Sequence, residues 1–320
     1  SIDDEAGNYP SSSTSCILMQ NAVPIFADCD EQTLSLNPKE VEKKITKYTK
    51  AIIMVHLFGY PSNILEIRKI AKKYKIFLIE DASHAHGMKI EKQLAGTFGD
   101  ISVFSLHQRK AIPVGDGGII ATNSKKIADK IYRLRSFGDK ELSYNYRMNE
   151  FAGVLGASRL LRLNADNKIR RKNAKFLHKE FKENKHIKTI VPKLCTSPVY
   201  HKFLFKLNAH KFKKNLTEIA ELIQKEGIPI IATKVGWNLL HRHLHLNPKK
   251  IPARGIPWRN KSYKGVMKNI LGYKKLKFPI IENVVDNELL ELPINPPVDI
   301  KLLRKASLII KKILKRQSID

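Results

Sequence analysis

The sequence predicts an α/β protein: a mainly parallel sheet flanked by helices, followed by a smaller α+β C-terminal domain. Three observations carry that reading. The first half of the chain alternates short apolar runs with amphipathic stretches, the order of a parallel sheet with helices on its faces. Several runs are continuously apolar rather than alternating, as strands covered on both sides require. After a long helical stretch the texture changes to shorter, mixed elements, which divides the chain into a large domain at 1–165 and a small one at 166–320.

The strands of the first half are expected at Pro24–Ala27, Ala51–His56, Ile76–Ile79, Ile101–Leu106 and Gly118–Thr122. Between them, Pro38–Ile45, Ile64–Tyr74 and Lys125–Leu134 carry helical apolar spacing. Asn37-Pro38 and Asn123-Ser124 stand where helix caps belong. Asn149 to about Lys182 reads as one long helical stretch, with Asn164 the place where it could break. Its beginning is rich in Ala152, Gly153, Gly156 and Ala157, small residues that allow close packing in a core or against a second subunit. Beyond it, 198–207 and Ile228–Ala232 read as strands, and Leu216–Lys225 and Ile300–Lys315 as helices.

Composition bounds the class. The chain has 320 residues, 42% hydrophobic and 28% charged, and can bury a sizeable core. No apolar run approaches the roughly 18 residues of a membrane span, and the first residues do not read as a signal peptide. Cys16, Cys29 and Cys195 have neither the even number of a disulfide framework nor the spacing of a zinc site. A reducing cytoplasm is the expected setting. The net charge of +28 lies mostly after residue 160, on lysines that are scattered rather than interleaved with aromatics. That pattern predicts solvated helix faces rather than a nucleic-acid platform. A basic small domain would also favour an anionic substrate.

One constellation carries chemistry. The apolar run Ile76–Ile79 ends in Glu80-Asp81-Ala82-Ser83-His84-Ala85-His86-Gly87, and the next strand ends in Phe104-Ser105, shortly before Lys110 and the turn Gly115-Asp116-Gly117-Gly118. A strand-end carboxylate, a hydroxyl, an amine and a glycine turn in that order can hold pyridoxal 5'-phosphate. The amine joins the carbonyl, the carboxylate pairs with the protonated ring nitrogen, and the hydroxyl meets the phosphate. Taken singly, a lysine after a strand is usually solvated and a strand-end Asp is often a cap. His56 reads equally as a pocket floor or a core histidine.

Together with Val23–Asp30, His56-Leu57-Phe58-Gly59-Tyr60-Pro61, Tyr144-Asn145-Tyr146-Arg147-Met148-Asn149-Glu150 and Leu292-Pro293-Ile294, these segments run in one order along nearly the whole chain. In that order they resemble the DegT/DnrJ/StrS-type sugar aminotransferases, which are fold-type-I pyridoxal-phosphate enzymes. The resemblance implies roles. Lys110 would attach the cofactor and move the proton, Asp81 would hold the ring nitrogen, His84 would lie near the ring, and Ser105 would bond the phosphate. Asn145 would reach the cofactor of a neighbouring subunit, so a homodimer with shared active sites is expected. Arg147 follows in the same motif. The implied reaction takes an amino group from glutamate and gives it to a nucleotide-diphosphate-linked keto-deoxy sugar, in a ping-pong cycle feeding polysaccharide or secondary-metabolite synthesis. Nucleic acid and membrane are not expected partners.

The match departs at its start. Family members carry a helix and a Gly-Ser/Thr turn ahead of this region, and Ser1–Gly7 does not supply them, so the N-terminus is expected to be truncated. Tyr9-Pro10-Ser11-Ser12-Ser13-Thr14 resembles the segment beside the cofactor, with Tyr9 where a stacking aromatic often lies. Asp116 stands where Glu is common. The rival reading is a truncated, catalytically inactive homologue acting as a binding or regulatory protein. A sugar deoxygenase is disfavoured, because those relatives replace the lysine with histidine. His241, His243 and His245 alternate as on a strand, yet without a carboxylate or cysteine cluster they read as a surface or substrate loop, as do the nearby Trp237, Arg254 and Trp258. No metal is expected.

Overall fold

Five-residue strands beginning at Ala51, Phe77 and Ile101 pair in parallel, with Ile52, Met54, Leu78, Glu80 and Ser102 buried and the residues between them more exposed than strands covered on both sides would be. A computed structural model of the protein describes residues 12–137, 142–192, 195–236, 239–242 and 276–319. It opens with helices α1 (Ser12–Met19) and α2 (Pro38–Lys44), strand β1 (Ala51–Val55), helix α3 (Ile64–Tyr74) and strand β2 (Phe77–Asp81). Strands β3 (Lys89–Ile90), β4 (Gln93–Leu94), β5 (Ile101–Ser105) and β6 (Gly118–Ala121) follow, then helices α4 (Lys125–Arg135) and α5 (Glu150–Phe181). The first sheet has the order β1-β2-β5-β6, with β1, β2 and β5 parallel and β6 antiparallel at the edge. Met54, Ile64, Ile67, Leu78 and Met88 form its core under α3.

The second half adds β7 (Ile187–Thr189), β8 (Cys195–Ser197), β9 (Phe203–Leu207), helix α6 (Leu216–Lys225), β10 (Ile231–Ala232) and β11 (Leu289–Leu292). An antiparallel sheet of order β10-β11-β9-β7 lies here, while β8 joins β3 and β4 in a small third sheet. The C-terminal helix Ile300–Gln317 and α6 cover the antiparallel sheet through Ile219, Ile223, Ile310 and Leu314. Helix α6 starts at a capping box between Asn215 and Glu218, and so begins where its sequence says it should.

Three expectations change. Pro24–Ala27 is not a strand: among the described residues the nearest bridge is Cys29–Leu36, beyond its end, and Pro24 has no N–H to offer a ladder. Helix α5 runs unbroken through Asn164, since Asp166 and Asn167 turn inward and are buried. The strand expected over 198–207 begins only at Phe203. Residues Val199 and His201 instead bond back to the turn Leu57–Gly59 through Val199 N–H to Gly59 O (3.1 Å) and His201 N–H to Phe58 O (2.8 Å).

Candidate functional site

The carboxyl ends of β1, β2 and β5 lie side by side, with Val55 opposite Asp81 and Asp81 opposite Val103. In open α/β sheets this edge is where ligands bind. Asp81 ends β2 and Ser105 ends β5, so two of the expected residues share the edge by strand register alone. The two neighbouring acids of β2 diverge. Glu80 is fully buried and accepts bonds from His56 Nε2 (2.9 Å) and from the N–H groups of Gly96, Phe98 and Gly99. His56 in turn meets Ser62 Oγ at 2.9 Å. A serine, histidine and glutamate in a chain is the order of a hydrolase triad, but all three are shut off from solvent. Glu80 and His56 are the ties of a buried turn, which settles His56 as a core histidine.

Asp81 faces the other way, half-buried. Its Oδ1 accepts from Ser83 N–H (3.1 Å) and its Oδ2 from Ser13 Oγ (2.9 Å) on α1. The segment before residue 14 therefore does reach the site, through Ser13. Tyr9 lies outside the described residues.

Lys110 is held on the loop between β5 and β6. That loop is tied across itself by Leu106 N–H to Gly117 O, Gln108 N–H to Gly115 O and Val114 N–H to Leu106 O. Its flanks Leu106, Ile112 and Val114 pack on Ala152 and Leu163 of α5. Gly117, at φ +145°, makes the return that a side chain would resist. So fixed, Lys110 Nζ lies 2.7 Å from His84 Nε2.

The other nitrogen of His84 decides what that contact is. Nδ1 accepts from Phe58 N–H at 3.1 Å and so bears no proton. A neutral imidazole has one N–H, which must then be on Nε2. With that tautomer Nε2–H faces Lys110 Nζ, which takes the bond only through a lone pair. Burial, followed by the nearby His201, holds the His84 ring well below its ordinary range and keeps it uncharged. His86, also buried, is pushed down to about 4 mainly by burial, and its ring nitrogens have no hydrogen-bond partner among the described residues.

Asp81, His84, Ser105 and Lys110 thus gather at one sheet edge. Asn145 does not join them here: it is exposed, accepts from Arg147 Nε (3.2 Å) and bridges Ser136. A lysine amine beside a histidine, a half-buried strand-end carboxylate and a strand-end hydroxyl are a donor set that pyridoxal phosphate requires, and the residues fit that group. His201 and Ser13 were missed as site residues; only the Ser13 segment carried a signal in the sequence. His241 Nε2 lies 3.2 Å from Glu282 Oε1, and His243, His245, Trp237, Arg254 and Trp258 lie outside the described residues. Among the described residues, no group of three His, Cys, Asp or Glu side chains is placed to hold a metal ion, and no helix is long and apolar enough to cross a membrane.

Comparison with known proteins agrees with this geometry. The family model described as the DegT/DnrJ/EryC1/StrS aminotransferase family matches residues 8–267. An uncharacterised protein of Methanocaldococcus jannaschii is 32% identical over 298 residues, which cover 88% of this chain and 71% of that protein. GDP-perosamine synthase of Escherichia coli O157:H7 is 38% identical over 168 residues, 50% of this chain and 46% of the enzyme, so the match spans under half of that relative. The solved structure of Helicobacter pylori PseC, an aminotransferase of pseudoaminic acid biosynthesis, superposes with a TM-score of 0.81 at 20% identity, covering 97% of this chain and 78% of that one. At that identity the likeness is one of fold.

Proposed function

The chain belongs to the DegT/DnrJ/EryC1/StrS aminotransferase family, and from that premise we propose that it moves an amino group from glutamate to a nucleotide-linked keto-deoxy sugar with pyridoxal phosphate as cofactor. The observation that carries this reading is the pairing of Lys110 with His84, because it leaves the lysine with the lone pair that addition to a carbonyl needs.

When bound, pyridoxal phosphate supplies an electrophilic carbonyl and a ring that takes up electron density. Lys110 would hold the cofactor through its amine and would serve as the group that moves the proton. Asp81, kept in place by Ser13 and Ser83, holds a proton at the ring nitrogen. Ser105 binds the phosphate. His84 presents Nε2–H to the region around Lys110 Nζ. Because amine transfer regenerates the starting state in two halves, glutamate and sugar would take turns at the same site. The name of the perosamine relative supports a nucleotide sugar as acceptor.

The same reading takes the protein as a homodimer. The start of α5 and the segment before it bear a run of exposed apolar side chains, Leu142, Tyr146, Phe151, Val154 and Leu161 among them. A patch of that kind on a soluble face marks an interface. Asn145 and Arg147 lie within it, where they would reach a second subunit's site. The division of the chain at 165 belongs to this reading too, supported by the separate apolar core that α5 shares with the antiparallel sheet.

The test is the visible spectrum of the purified chain with pyridoxal phosphate, for wild type and Lys110→Ala. A protein-bound band in wild type alone, bleached by glutamate, supports the proposal. No band in either protein overturns it in favour of an inactive homologue.

A further inference from the structure

His201 stacks on His84 with ring centroids 4.3 Å apart and planes 13° from parallel, and the Phe58 ring lies 5.9 Å from His84 at 25°. The backbone supports both neighbours. Phe58 (φ +56°) and Gly59 (φ +74°) both adopt left-handed conformations in the turn after β1. That turn donates Phe58 N–H to His84 and takes His201 N–H on the Phe58 carbonyl. A Cβ on Gly59 would lie 2.8 Å from the His84 carbonyl oxygen, 2.7 Å from Val199 Cγ2 and 3.1 Å from His201 N. The turn is thus a clasp with His84 on one side and residues 199–201 on the other.

We propose that His201 is a positioning residue of this site: its ring fixes the plane of His84, so that Nε2–H stays aimed at Lys110 and the lysine waits as a neutral amine. Phe58 selects the tautomer and His201 prevents the ring from swinging about its remaining torsion. His201 is itself held uncharged, by burial first and by the cation of Lys202 as well, so that the stack places no positive charge beside the amine. The chemical benefit falls on one step. The Nζ lone pair adds to a carbonyl carbon, a C=N bond forms, and both amine hydrogens leave with the carbonyl oxygen as water. A protonated lysine has no lone pair to begin it.

This inference rests on the reading of Lys110 given above, and the experiment separates the two. Long-range ¹⁵N–¹H spectra of the full chain, stripped of cofactor, report the His84 tautomer in wild type, His201→Gln and His201→Phe. Covalent uptake of pyridoxal phosphate, read as borohydride-fixed mass on Lys110, is timed for the same proteins. The expected wild-type spectrum shows Nε2–H and an unprotonated Nδ1. His201→Gln, which fills the space without a ring, should average the tautomers and slow uptake about tenfold, the scale of one lost ring pair. His201→Phe should restore both. A wild-type His84 protonated on Nδ1, or a His201→Gln protein with wild-type spectrum and uptake, overturns the proposal. A Phe variant as slow as Gln overturns the stacking account. Failure of wild type to take up cofactor sinks the transaminase reading instead, leaving the tautomer result standing.

Discussion

His56 Nε2 lies 2.9 Å from Glu80 Oε2, and neither side chain has any exposure to solvent. Glu80 is also the acceptor for three backbone N–H groups of the 96–99 turn. It therefore anchors the entry to β5 from the residue directly before Asp81. Replacing it with Gln turns donors toward donors. Glu80→Gln should lose about 3 kcal/mol of stability in urea titration. Burial alone would raise this carboxyl, but the His56 bond and the Gly99 and Gly96 amides overcome it and hold the group below its ordinary 4.5. Its contribution is full above that value and disappears as pH falls through the lower folded value. The variant should accordingly show a flatter stability profile below about pH 4.5.

Gly59→Ala meets two obstacles at once, a left-handed φ and a Cβ driven against Val199 and the His84 carbonyl. We expect a loss of about 3 kcal/mol, read by chemical denaturation, and slower cofactor uptake in what remains folded.

His178 lies against Phe203, ring centroids 5.0 Å apart, and neither ring nitrogen has a hydrogen-bond partner among the described residues. Burial brings it from its ordinary 6.5 down to about 4. Below pH 6.5 the unfolded chain binds a proton that the folded ring refuses, so stability falls between about 6.5 and 4. His178→Phe should be about 2 kcal/mol more stable than wild type at about pH 5, with the advantage shrinking by about pH 7.5. An equal gain at both pH values would refute the neutral-histidine account.

If the apolar run on α5 is a subunit contact, Phe151→Asp combined with Leu161→Glu should convert a dimer to a monomer in light scattering. Unchanged mass would move the interface elsewhere.

Asp81→Asn keeps the bond geometry with Ser13 and Ser83 available while removing the charge. Cofactor should still bind, and kcat should fall on the order of a hundredfold. A variant with undiminished kcat would remove Asp81 from the ring-nitrogen role.

Much of this was legible from residue order. Helices Ile64–Tyr74 and Leu216–Lys225 have the bounds their apolar spacing indicates, and Asp81, His84, Ser105 and Lys110 do meet at one edge, because strand ends in a parallel sheet bring sequence-distant positions together. What stayed hidden depends on contacts across the chain. Nothing local in Tyr200-His201-Lys202 announces a ring that will stack on His84. The inward turn of Asp166 and Asn167 likewise depends on Arg170, whose Nη1 donates to Asn167 Oδ1 at 2.8 Å, and on His86 O, which takes Asn167 Nδ2 at 2.9 Å. The expected strand at Pro24 failed for a different reason: the apolar content was right, but Pro24 lacks the N–H that a ladder takes.

The clasp between Leu57–Gly59 and Val199–His201 also sets a timetable. Strands β1, β2 and β5 can pair from residues made early, and Lys110 follows soon after them on the ribosome. Its buttress arrives only when residue 201 has emerged and closed one of the longest loops in the molecule, and such closures are slow. A refolding chain should therefore acquire its parallel sheet before it acquires a reactive lysine. In a stopped-flow experiment, far-ultraviolet ellipticity would recover ahead of the capacity to capture an aldehyde.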